Sequence, residues 1–109
     1  MGKYLLIETR DPFDSSDVQR SYDLAGGLAD EKNDVTVFLV QNGVLPTRKA
    51  SAAADAVTQL CSKATVLADD FSLRERGIQK GELVKGVKPT SIDDLVDLVA
   101  DDGRKVIWH

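Results

Sequence analysis

The sequence predicts a single α/β domain over residues 1–109, with helices on both faces of a mainly parallel sheet of about five strands (a three-layer α/β/α arrangement). Three observations lead to this prediction. The length of 109 residues suits one domain. Short apolar segments alternate with segments of helical period, which implies crossover connections between parallel strands. The first apolar segment does not alternate with polar residues, as is typical of a strand buried on both faces.

The first half of the chain supplies two strands, over residues 4–7 and 35–40, and a helix between them. Ser or Asp at residues 15–17 can cap that helix. Apolar residues then recur at helical spacing: Val18, Tyr22, Ala25 and Ala29. Gly26 and Gly27 lower helix propensity, so we expect them to allow close packing on the sheet.

The second half begins with an alanine-rich helix from Thr47 or Ser51 to about Ser62, followed by a strand over residues 65–68. A short helix is then predicted to end near Gly77. Residues 79–88 read as a loop with at most a brief pairing. A final helix starts at residues 89–91, and a last strand covers residues 105–108. The predicted buried face of this helix comprises Ile92, Leu95, Val96 and Val99.

Composition excludes several classes of function. The formal net charge of −4 argues against nucleic-acid binding, which needs a basic face. No apolar segment is long enough to span a membrane or to form a signal peptide, so we expect a cytoplasmic protein. The single cysteine excludes an intramolecular disulfide and a cysteine-rich metal site. Glycine-rich nucleotide motifs are absent from the sequence, and no cofactor is predicted.

Ligands of open α/β sheets bind beyond the carboxyl ends of the strands, where polar residues follow each predicted strand. Glu8, Thr9 and Arg10 follow the first strand. The candidate ligand-binding residues at this strand-end rim are Asp11, Gln41, Asn42, Asp69, Asp70, Ser72 and His109.

The aspartates of the rim also have plainer explanations. Asp11, Asp69 and Asp70 carry the oxygen ligands that Mg²⁺ prefers, as in a phosphoacceptor receiver domain, but such a domain has a further helix after its fifth strand. Caps of helices and turns are the commoner use of aspartate at such positions, so no metal site is predicted. His109 is expected to be a solvated terminal residue.

Four other side chains could serve chemistry or assembly. Cys61 lies near the end of the alanine-rich helix, at the opposite edge of the sheet from the rim, and is expected to be a buried small hydrophobe. Trp108 suits either the core or a subunit interface. Arg74 and Arg76 suit an anion, although surface ion pairs with Glu75 or Asp70 are the commoner alternative.

Three segments in this order resemble the DsrE/DsrF-like sulfur-relay family. VTVFLVQNGV (35–44) resembles its strand and Gly-Val turn, and FSLRERGI (71–78) its short helix ending in Arg-Gly. SIDDLVDLVADDGRKVIWH (91–109) is similar to its closing helix and strand. The resemblance implies an α/β/α fold, persulfide transfer, and oligomers built from dimers or trimers, often hexamers.

The resemblance also implies a cysteine just after the third strand in active members, and here Asp69 stands at or near that place. Neither a carboxylate nor a hydroxyl carries sulfane sulfur, so the protein is expected not to be an enzyme. The first hypothesis is an oligomeric binding or assembly protein, as a homo-oligomer or beside paralogous subunits. The alternatives are a persulfide carrier that uses Cys61 and a protein that binds a small ligand or metal at the rim.

Overall fold

The computed structural model describes residues 2–109, which form a five-stranded sheet with all neighbouring strands parallel. The strands are β1 (Lys3–Glu8), β2 (Asp34–Leu39), β3 (Thr65–Asp69), β4 (Val87–Thr90) and β5 (Arg104–Trp108). The helices are α1 (Asp17–Asp30), α2 (Ala54–Lys63), α3 (Asp70–Glu75) and α4 (Ile92–Ala100), and 3₁₀ turns cover Gln41–Thr47 and Lys80–Glu82. Within residues 2–109, no helix is long and apolar enough to cross a bilayer.

The spatial order of the strands is β4-β3-β2-β1-β5, so the chain moves outward from β1 in one direction and then returns to add β5 at the other edge. The carboxyl ends of all five strands therefore point to the same rim of the sheet. The predicted three-layer α/β/α fold is confirmed, with a Cα radius of gyration of 12.7 Å that is normal for this length.

The two faces of the sheet are covered unequally. Val18, Tyr22 and Ala25 of α1 and Val57 and Leu60 of α2 pack on the larger of two apolar clusters. In the described part of the chain, the smaller cluster, on the other face, is covered by the single helix α4, through its buried Leu95 and the half-buried Leu98. One face thus has two long helices and the other has one.

The predicted buried face of α4 is correct only at Leu95. Ile92, Val96 and Val99, one helical stripe, remain 51%, 59% and 47% exposed. The reason is that α4 has no helix beside it on its face of the sheet, so its buried side is narrower than its apolar side. We call Ile92, Val96 and Val99 the α4 stripe.

Other sequence predictions need smaller corrections. β4 was not predicted, because its four residues lie where a loop and a helix start were expected and include a proline that suits an edge strand. α2 begins only at Ala54, after the 3₁₀ turn. Gly26 faces α2, where an added Cβ would lie 3.5 Å from the Lys63 side chain, and Gly27 has open space around it. Neither glycine packs closely on the sheet.

Candidate functional site

A cleft of about 500 Å³ lies at the strand-end rim, beyond the ends of β2 and β3. Four of the predicted ligand-binding residues line it together: Gln41, Asn42, Asp69 and Ser72. The sheet topology explains why, since the residues that follow neighbouring parallel strands come together at one edge. Asp11, Asp70 and His109 do not line this cleft.

A chain of hydrogen bonds joins the ends of β2 and β3. Asp69 is the N-cap of α3, and its Oδ2 accepts hydrogen bonds from the Ser72 backbone amide (3.2 Å) and from Ser72 Oγ (2.7 Å). Ser72 Oγ in turn accepts a hydrogen bond from the backbone N–H of Gln41 (2.9 Å). Gln41 has a positive φ of 54°, which turns the chain out of β2 toward Ser72. The cap predicted from the sequence is therefore also the link between two strands.

The second carboxylate oxygen of Asp69 is left without a partner. Asp69 is only 6% exposed, and its Oδ1 is buried without a hydrogen bond from any residue in 2–109. A buried polar atom without a partner costs about 1–3 kcal/mol. Native proteins keep few such atoms, so each one calls for an explanation. Of the two carboxylate oxygens of Asp69, only Oδ2 has hydrogen-bond partners among residues 2–109.

Among residues 2–109, Arg76 is the one cation that lines the cleft, and neutral acceptors hold it. Arg76 places Nε and Nη2 at 3.2 and 3.0 Å from Asn42 Oδ1, and its Nη1 at 3.2 Å from the backbone oxygen of Ser72. The surface ion pair expected for Arg76 is therefore replaced by a tie between α3 and the turn after β2. The expected pair does occur at Arg74, which lies 3.9 Å from Asp70.

On the other side of the rim, the half-buried His109 and the buried Glu8 form a pair that was not predicted from the sequence. His109 Nδ1 lies 2.7 and 2.9 Å from the two carboxylate oxygens of Glu8, which is 1% exposed. The backbone of His109 also pairs with Ile7 and Thr9. The prediction of a solvated His109 is wrong, because β5 carries it alongside β1. An acid ending a fully buried strand was the available signal, since such a group needs a partner.

Tyr22 of α1 is buried in the larger apolar cluster. Its hydroxyl is buried without a partner among the described residues. Burial, and then the nearby carboxylates of Glu8 and Asp11, raise the pKa of Tyr22 strongly above its ordinary value. The phenol is therefore neutral at physiological pH and does not serve as a base.

Asp11 and Asp70 have the local roles weighed as the alternative to ligand binding. Asp11 Oδ1 accepts a hydrogen bond from the Phe13 amide (3.0 Å) and shapes the turn before α1. Asp70 forms the helical ion pair with Arg74. No cluster of three or more metal-ligating side chains occurs in the part of the chain that the structure describes.

Cys61 lies on α2, at the far end of the sheet from the rim. Its side chain is next to Gly86, directly before β4, where an added Cβ would come within 3.2 Å of Sγ. The side chain is half-buried against the larger apolar cluster, and this burial raises the pKa of the thiol. The predicted position at the opposite edge is confirmed, and the raised pKa disfavours the reactive thiolate.

Comparison with known proteins agrees with this geometry. A sequence model described as the DsrE/DsrF-like family matches residues 2–108. No curated protein matches the sequence.

Among solved structures, the chain is similar to the ychN protein of E. coli (20% identity, TM-score 0.88) and to MTH1491 of Methanobacterium thermoautotrophicum, a protein of unknown function (23% identity, TM-score 0.83), each covering 100% of both chains. BT1422 of Bacteroides thetaiotaomicron, also of unknown function, has 13% identity and a TM-score of 0.77, covering 98% of this chain and 95% of its own. These neighbours share the fold.

Proposed function

The chain belongs to the DsrE/DsrF-like family, and on that premise we propose that it is a non-catalytic member that binds or assembles within a sulfur-relay system. The observation that carries this proposal is the carboxylate at the end of β3. Asp69 stands at or near the place where the resemblance implies a cysteine in active members, and its Oδ2 is committed to capping α3. A carboxylate has no sulfur atom and therefore cannot form the S–S bond that holds sulfane sulfur in a persulfide.

Cys61 offers no substitute for the missing thiol. It lies at the opposite end of the sheet from the cleft, so a partner docked at the rim would not reach it. Burial also keeps it protonated at neutral pH, and the thiolate is the form that attacks a persulfide. The persulfide-carrier alternative therefore lacks both the position and the ionisation that the reaction needs.

Intact-mass analysis after incubation with glutathione persulfide tests this part of the proposal. We expect the folded protein to gain no sulfur, while the urea-unfolded protein, with Cys61 exposed, gains one sulfur atom. The Cys61→Ser variant provides the matched blank for both states. Stoichiometric sulfur on Cys61 in the folded protein would refute a non-catalytic role and favour the carrier.

The assembly part of the proposal is supported by exposed apolar surface. The α4 stripe lies on the thinly covered face of the sheet, and its Val96 and Val99, 59% and 47% exposed, lie outside the lining of the cleft. Contiguous exposed apolar surface of this kind marks interaction sites. We propose that a second copy of the chain or a paralogous subunit covers Val96 and Val99, in a dimer, trimer or hexamer in the cytoplasm, and leaves the cleft open.

Native mass spectrometry with a pair of charge substitutions tests the assembly. We expect an oligomer at micromolar concentration, and Val96→Glu in the α4 stripe should convert it to a monomer because burying a carboxylate there is costly. Leu24→Glu, at an exposed apolar residue of α1 on the other face, is the control and should leave the oligomer intact. A monomeric parent protein, or equal effects of the two variants, would contradict this interface.

A further inference from the structure

The strand-end cleft combines a buried acidic oxygen with aromatic walls, and this combination identifies a class of ligand. We infer that the cleft binds a small organic cation, a protonated amine attached to an aromatic or branched aliphatic group, with the nitrogen donating to Asp69 Oδ1. The inference rests on the proposed non-catalytic function, because it gives the residue at the cysteine position a binding role of its own.

The polar end of the ligand follows from Asp69. Its Oδ1 is buried and unpartnered, whereas Oδ2 is fully used by Ser72. Ser72 Oγ has already donated its hydrogen to Asp69 and therefore offers the cleft no donor in place of a ligand. A hydrogen bond to a carboxylate in such a low-dielectric setting is stronger than a neutral one in water. The ligand must thus supply an N–H or O–H donor.

The charge of the ligand follows from the balance of ionised groups. The cleft is lined by two carboxylates, Asp69 and Glu75, and by one guanidinium, Arg76. Arg76 donates hydrogen bonds to Asn42 Oδ1 and to the backbone oxygen of Ser72. Within residues 2–109 it forms no ion pair with either acid. The cleft therefore carries an uncompensated negative charge, which favours a cationic donor over a neutral one and repels anions.

The apolar end of the ligand follows from the mouth of the cleft. Phe71 and Trp108 are 57% and 65% exposed, and Ile92 stands with them. Aromatic faces attract cations as well as apolar groups, and a volume of about 500 Å³ suits a small organic molecule. Asp69 Oδ1 is buried, so the cleft lining must adjust for a nitrogen to reach it. Exposed side chains of the lining, such as Phe71 and Trp108, change rotamer on the picosecond to nanosecond timescale.

Tryptophan fluorescence measures the binding directly, since Trp108 is the only tryptophan of the chain. We would titrate the protein with 2-phenylethylamine and, as matched probes, 3-phenylpropionate and 2-phenylethanol, which keep the ring and replace the cation by an anion or a hydroxyl. We expect saturable binding of the amine, at least tenfold weaker binding of the alcohol, and none of the anion.

Two isosteric variants locate the cation. Asp69→Asn keeps a capping side chain for α3 but removes the charge, so we expect the protein to fold and to bind the amine at least tenfold more weakly. Asp70→Asn makes the same charge change one residue away, outside the cleft, and should leave amine affinity within twofold. Equal effects of the two variants, or equal binding of amine and carboxylate, would overturn the inference.

A final arm separates a free ligand from a side chain of another subunit. The Val96→Glu variant changes the α4 stripe but not the lining of the cleft. We expect the amine to bind this variant and the parent protein equally. Binding to the variant alone would mean that a partner subunit occupies the cleft, and absence of binding to both would also refute the ligand. Neither outcome changes the sulfur-loading result, so this inference and the proposed function fail separately.

Discussion

Glu8 and Asp69 each end a parallel strand at the same rim, and each residue is more than nine-tenths buried. The two carboxylates differ in how many of their oxygens are hydrogen-bonded. Both oxygens of Glu8 have partners, from His109 and from the amide of Arg10. Within residues 2–109, only one oxygen of Asp69 has a partner. A buried carboxylate with both oxygens hydrogen-bonded stabilises the structure, whereas one with an unpartnered oxygen can still accept a hydrogen bond from a ligand. The β1 side of the rim is thus structural, and the β3 side is the candidate site.

We expect the largest loss of stability when the Glu8 carboxylate, on the β1 side of the rim, is removed. Glu8→Ala leaves His109 and the Arg10 amide without their acceptor and opens a cavity at the end of β1. We expect the free energy of unfolding to fall by about 3 kcal/mol in urea denaturation. Glu31→Ala, at an exposed acid, is the control and should change it by less than about 0.5 kcal/mol. Similar losses in the two variants would remove the contrast between the two sides.

Gly43 lies in the turn after β2 and packs against the backbone at the end of β1. A Cβ added there would lie 2.3 Å from the backbone oxygen of Glu8, so the backbone itself would have to move. We expect Gly43→Ala to lower the free energy of unfolding by about 2 kcal/mol. Gly27→Ala, in α1 with nothing within 4 Å, should instead raise it by about 0.5 kcal/mol. The comparison fails if both glycines tolerate alanine equally well.

On the site side, the expected cost of mutation is smaller. Asp69→Ala removes the cap from the Ser72 amide, a loss of about 1 kcal/mol, but also removes an unpartnered oxygen whose burial was unfavourable. We expect the net change in the free energy of unfolding to stay below about 1 kcal/mol, measured under the same conditions as Glu8→Ala. A loss as large as that of Glu8→Ala would show that Asp69 is structural too.

The smallest effect concerns the end of the sheet away from the rim. Because burial raises the pKa of the Cys61 thiol, the folded state holds this proton more tightly than the unfolded state does. The stabilising contribution is complete below the unfolded thiol pKa and is lost as the pH rises through the folded one. The stability difference between the parent protein and Cys61→Ala should therefore be constant near neutral pH and shrink at alkaline pH. A flat difference across that range would contradict this.

Local sequence signals predicted much of the scaffold and part of the site. Apolar runs located four of the five strands, and the Asp69–Ser72 cap and the positive φ of Gly77 agree with the predicted start and end of α3. Gln41, Asn42, Asp69 and Ser72 were placed at one rim by the rule for parallel sheets, and they do line one cleft. These signals depend on neighbours in sequence, so the sequence contains them directly.

Contacts between residues that are far apart in sequence could not be predicted from local signals. The contact of Glu8 with His109 spans 101 residues and exists only because β5 returns to pair with β1. The four-residue β4 is too short to give a periodic signal. The α4 stripe has the same helical period as a buried face, and only the absence of a neighbouring helix leaves it exposed.

The sequence by itself determined the α/β class and the polar strand-end rim, because periodicity, capping and residue identity are local properties. The tertiary structure decided which buried carboxylate is saturated and which is not. Strand order brings His109 to Glu8 across 101 residues, whereas the partner of Asp69 is Ser72, only three residues along the chain. A buried charge is satisfied by its neighbours in space, and for Glu8 the order of the strands sets those neighbours.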